Sequence, residues 1–173
     1  EGGEARYLEV VMTRLWRPIL AVLAAAALSA CAYSEGVYIY NVCLEDFSEH
    51  AKGVDWSEAR IVEVDIVGGG EFSPSYVKFK QNEPQILRIT NTENRLRLFR
   101  APKFFRSIAI GKVTVGDREY TERCLAAINV PPGAVAEIHM VPIDQGKYDF
   151  DDDPTLVSIL YPFEQNFGFA VIN

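Results

Sequence analysis

The chain has 173 residues, 49% of them hydrophobic, and no low-complexity tract, which is enough for one packed domain plus a tail. Its formal charge is −7 and its pI near 4.9, which argues against nucleic acid as a partner, since phosphate binding needs a basic face. The acidity belongs to the body of the chain: within residues 1–30, Arg6, Arg14 and Arg17 offset Glu1, Glu4 and Glu9.

Residues 1–11 read as an upstream extension, whether extra translated sequence or a cytoplasmic segment. Residues 12–30 follow as a signal or anchor. Met12 precedes basic Arg14 and Arg17, then the apolar run Ile19 to Leu28, then Ser29-Ala30 before Cys31, which is the order of a secretory signal. The ending Leu28-Ser29-Ala30-Cys31 resembles the lipobox of bacterial lipoproteins, which implies acylation of Cys31 after the signal is removed. An uncleaved membrane anchor is the rival reading, although Pro18 to Ala32 falls short of the roughly 20 residues a bilayer core demands. Either way the body of the chain is expected on the periplasmic side of a bacterial membrane.

Export changes the meaning of the remaining cysteines. An oxidising compartment favours a disulfide between Cys43 and Cys124, the alternative being two separate buried thiols. Such a bond would close a loop of about 80 residues and contribute up to roughly 4–5 kcal/mol through the unfolded chain. Neither cysteine has a CxxC neighbour, so zinc and dithiol redox motifs are not indicated.

Residues 31–56 read as a tether whose apolar segment, Val37 to Val42, packs on the domain or on a partner. From residue 57 to 173 the signals are β. "ARIVEVDIV", "YVKFK", "PQILRIT", "RLRLFR" and "AVAEIHMV" alternate apolar and polar residues at short intervals. In the last of these, Ala136, Ile138 and Met140 share one face, and Glu137 and His139 the outward one. Turn chemistry separates the strands at Gly68-Gly69-Gly70, Asn82 to Pro84, Pro131-Pro132-Gly133 and Asp144 to Gly146. The expected fold is an all-β, Greek-key antiparallel sandwich.

The stretches "FSPSYVKFKQNEPQILRITNTENRLRLFRAPKFF" and "VPPGAVAEIHMVPIDQGKYDF" together resemble a periplasmic single-domain cupredoxin over about residues 57–173. The resemblance implies a sandwich whose copper-binding members hold the metal with one His after the "TN" turn and a Cys-His-Met set on the last loop. Soft thiolate and imidazole select that ion. Laid on this chain, those positions fall on Arg97, Asp152, Val157 and Asn166, none of which is such a ligand. The expectation is therefore a cupredoxin-like domain without a copper site and without a cofactor.

The same end of the sandwich would gather Arg88, Arg95, Arg97, Arg100, Lys103 and Arg106 against Asp144, Asp149, Asp151, Asp152 and Asp153. An Arg97–Asp152 pair is expected there, since a guanidinium can meet a carboxylate through two parallel hydrogen bonds. Arg95, Arg100 and Lys103, with Phe104 and Phe105 among them, form a candidate docking surface for a protein partner. The alternative use of the acids is a hard cation held by Asp149, Asp151, Asp152 and Asp153. Catalysis has little support: His50 and His139 are the only histidines, and "VGGGEF" lacks the Lys-Ser/Thr of a phosphate cradle. The functional expectation is a membrane-attached accessory or scaffolding subunit with a protein partner, of the kind found in membrane electron-transfer complexes, and not an enzyme. A periplasmic metal-handling lipoprotein is the alternative.

Overall fold

A computed structural model of the chain describes residues 47–152 and 166–173, together with the backbone of Val37–Ile39. Among the described residues, twelve strands make two sheets. The first sheet holds β1 (Val37–Ile39), β4 (Tyr76–Phe79), β6 (Arg97–Arg100), β9 (Leu125–Val130), β11 (Gly146–Asp151) and β12 (Phe167–Ile172), in the order β1-β9-β6-β11-β12-β4. The second holds β2 (Arg60–Val67), β3 (Glu71–Ser73), β5 (Gln85–Asn91), β7 (Ile108–Val115), β8 (Arg118–Tyr120) and β10 (Val135–Pro142), in the order β3-β2-β5-β10-β7-β8. Together they make an all-β sandwich of two sheets.

Period-two alternation produces the strands. Val62, Val64 and Ile66 of β2 turn inward while Ile61, Glu63 and Asp65 face out. Ala136, Ile138 and Met140 of β10 do the same. Between the sheets the core is aromatic at one end. Phe72, Phe99 and Phe150 meet with ring centroids 4.9–5.8 Å apart, two of the contacts edge to face.

Three features depart from the sequence expectation. The sheets are mixed: β2 runs parallel to β5, and β12 parallel to β4, because the chain crosses to the opposite sheet between those strands. Val37–Ile39, within the expected tether, adds to the first sheet as an edge strand antiparallel to β9. "APKFF" forms a one-turn helix, α1 (Pro102–Phe105), opened by a proline at its first turn, where the missing N–H costs nothing. That turn carries Phe104 and Phe105 into the core.

Candidate functional site

The site forms where β5 ends, β6 begins and β11 ends. Asn91, the last residue of β5, is fully buried and closes the following turn. Its Nδ2 donates to the carbonyls of Arg95 and Val130 at 2.8 Å, and its Oδ1 accepts from the Glu93 N–H at 3.0 Å. The turn so fixed aims Glu93 at Arg97.

Arg97 lies between two carboxylates. Its Nε and Nη2 donate to Glu93 at 2.9 and 2.7 Å, and its Nη1 donates to Asp152 Oδ2 at 2.7 Å. The expected pair exists, but the two-pronged contact is with Glu93 and the single bond is with Asp152. All three side chains are nearly enclosed: Arg97 and Glu93 are 11% exposed and Asp152 5%. Asp152 also accepts the backbone N–H of Leu98 at 2.9 Å, and Glu93 accepts the backbone N–H of Gly70 at 2.8 Å and the side-chain Nε–H of Arg95 at 2.9 Å. Asn166 stands beside the group, its carbonyl accepting the Asp152 N–H at 3.2 Å and its amide donating to Gly69 at 2.6 Å.

Gly70 explains part of the glycine run. Its φ is +86°, and a Cβ there would stand 2.2 Å from Asp152 Oδ2 and 2.6 Å from Arg97 Nη1. Only a residue without a side chain lets the turn close on the ion pair. Glu93 and Gly70 were not singled out by sequence reasoning as parts of one site. The available signal was that Glu93 is the single acid in a basic stretch.

Burial pushes both carboxyls up, but the outcome differs. At Glu93 the hydrogen bonds from Arg97, Arg95 and Gly70 overcome it and hold the group at about 2. At Asp152 burial outweighs the Leu98 N–H and the Arg97 charge, and the carboxyl stays above its usual value.

The ion pairs continue outward. Arg100 donates to Asp151 at 2.7 Å, the two being register partners across β6 and β11, and Lys103 stands 3.5 Å from Asp149. Each of the three acids Asp149, Asp151 and Asp152 thus faces a cation of its own chain. Among the described residues, no group of three or more His, Cys, Asp or Glu side chains is arranged to hold a metal ion.

The docking candidates are divided by the fold. Arg95 and Lys103 keep exposed side chains, and Arg100 is about one-third exposed. Phe104 and Phe105 are corrected: they are 0% and 3% exposed and pack in the core, so neither can meet a partner. The reason is that the helical turn α1 carries both rings inward. His139 lies on the outer face of β10 as expected, yet its side chain is 12% exposed because Trp56 covers it, whereas His50 is exposed.

Val157, Asp153, Cys31, Cys43 and the signal or anchor segment lie outside the described residues. The expected pairing of Cys43 with Cys124 and the lipidation of Cys31 therefore do too. Among the described residues, no helix is long and apolar enough to cross a membrane.

No protein-family model matches the chain, and no curated protein matches it. Solved structures do. A multicopper oxidase from Pediococcus acidilactici matches at 11% identity and a TM-score of 0.47, over 70% of this chain and 27% of that one. A multicopper oxidase from Aquifex aeolicus matches at 9% identity and 0.49, over 69% and 30%. A purple cupredoxin from Nitrosopumilus maritimus matches at 12% identity and 0.37, over 65% and 99%. The chain thus spans about a quarter to a third of the oxidases' length. Its own architecture rests on the strand order and register given above.

Proposed function

We propose that the chain is an exported, membrane-attached cupredoxin-like domain that has given up copper and acts as a binding or scaffolding subunit. Its setting is a membrane electron-transfer complex. Attachment is by a lipid on Cys31 or by an uncleaved anchor, on the periplasmic side. A Cys43–Cys124 disulfide belongs to this reading, since an oxidising compartment favours it.

The observation that carries the proposal is the Arg97 guanidinium held between Glu93 and Asp152. Three of the four positions that the resemblance assigns to copper hold an arginine, an aspartate and an asparagine. A buried cation and hard oxygen donors do not fit a site that selects its metal through sulfur and imidazole. With the apex occupied by an internal ion pair, binding of a partner is the remaining role for that surface. A cation on residues 149–153 is less well supported, because Asp149, Asp151 and Asp152 are already engaged by Lys103, Arg100 and Arg97.

The test is gentle detergent extraction of the full chain from its native membrane, followed by metal analysis after dialysis against cupric ion. The expected result is co-elution with a defined partner and no stoichiometric copper. One tightly held copper per chain with thiolate charge-transfer colour, or a lone monomer, would overturn the reading.

A further inference from the structure

The outer face of the second sheet carries a second unusual group, far in sequence from the Arg97 cluster. The segment from Phe47 to Trp56, which includes a 3-10 turn at Ser48–Ala51, lies across β7 and β10. It is held at one end by Arg123, whose Nη1 donates to the buried Ser48 Oγ at 2.9 Å. At the other end the Trp56 indole stands on Gly111 of β7, where an added Cβ would come within 2.5 Å of Cζ2. The same indole meets His139 of β10 edge to face, with centroids 5.4 Å apart and planes at 82°.

His139 is therefore roofed by tryptophan, and its Nδ1 is buried with no hydrogen-bond partner among the described residues. A neutral imidazole tolerates this by keeping the Nδ1 lone pair idle and its proton on Nε2. An imidazolium cannot: it carries a second N–H, which must reach water or an acceptor. The surroundings supply neither for Nδ1. On β10 itself, Glu137 lies 3.7 Å from the other nitrogen, Nε2, and is already bonded by Arg88 of β5 at 2.8 Å. Arg88 is in turn shared with Glu63 of β2. On β7, Lys112 is the register partner of His139 and repels a second charge, with Glu119 of β8 3.7 Å from its ammonium. In the covering segment, Glu49 and Lys52 pair with each other, Asp55 accepts the Ser57 N–H, and His50 is exposed.

We propose that His139 is a proton-operated latch: when neutral it seats Trp56 and the segment Phe47–Trp56 on the second sheet, and when protonated it unseats them. Burial first, and then Lys112, hold the imidazole below its usual value of 6.5, which agrees with a fold that prefers the uncharged ring. The sign follows. The unfolded chain takes up this proton at higher pH than the folded one, so the seated state loses stability as pH falls below 6.5. Because the segment joins β1 to β2, its release would loosen the entry into the sandwich without disturbing the Arg97 cluster.

The test uses the full chain with Trp16→Phe, which leaves Trp56 as the reporting indole. Emission and iodide quenching are followed between about pH 7.5 and 5, where histidine titrates, with far-ultraviolet dichroism as the control for global unfolding. The expected result is a red shift and a gain in quenching with a one-proton midpoint below 6.5, at constant dichroism. Lys112→Gln should move that midpoint up and Glu137→Gln move it down, a pair of shifts that simple loosening would not give. The His50→Gln control should leave the transition in place, and His139→Gln should abolish it. An unchanged indole across the range, a midpoint indifferent to Lys112 and Glu137, or the same transition in His139→Gln would overturn the proposal.

Discussion

Replacing Asp152 with alanine removes one wall of the Arg97 site and makes the largest single test of it. Two bonds disappear: that from Arg97 Nη1 at 2.7 Å and that from the Leu98 N–H at 2.9 Å. Breaking a buried ion pair costs about 3–5 kcal/mol when the abandoned charge has no other partner. Arg97 keeps its two-pronged contact with Glu93, and the burial that raises the Asp152 carboxyl shows a desolvation cost that the alanine no longer bears. Both considerations put the loss at or below the bottom of that range, about 2–3 kcal/mol. For a domain of this size, at about 3 °C per kcal/mol, the midpoint of a thermal melt should fall by about 6–9 °C. Asp149→Ala is the internal control. Its partner Lys103 is 3.5 Å away, both side chains are more than half exposed, and such pairs contribute less than about 1 kcal/mol. Asp152→Asn, which can still accept the Leu98 N–H, should recover part of the loss. An Asp152→Ala melt within about a degree of wild type, or one no lower than Asp149→Ala, would refute the claim that this cluster organises the apex.

Acid should act chiefly through Glu93. Its carboxyl sits at about 2 in the fold against an ordinary 4.5, so its contribution is complete above pH 4.5 and is lost as pH falls from there toward 2. Asp152 has the opposite sign, regaining stability as it takes up a proton. Glu93→Gln should therefore melt well below wild type at neutral pH and nearly with it near the acid limit; a gap that does not narrow with acid would refute this. Gly70→Ala should cost more than the roughly 1–2 kcal/mol of the left-handed backbone alone, because the new methyl meets Asp152 Oδ2. The excess should shrink in the Asp152→Ala background, and strict additivity of the two melts would show that the contact does not matter.

Sequence alone marks β2, β4, β5, β6 and β10, because a half-buried strand writes its burial every second residue, as "ARIVEVDIV" and "AVAEIHMV" do, whereas β1 lies in the expected tether and β7 to β9 are recognised only in the fold. The resemblance to cupredoxins, and not the strand pattern, set Arg97 and Asp152 at one apex, and the structure joins them through a single hydrogen bond. The sequence could not show that Glu93 is the stronger partner, that Gly70 must be glycine for the pair to close, or that Phe104 and Phe105 point into the core. Nor could it show that His139, on an outward strand face, lies under Trp56. Each of these depends on contacts between residues far apart in the chain, and an alternating pattern reports only which side of a strand is apolar, not what covers the other side.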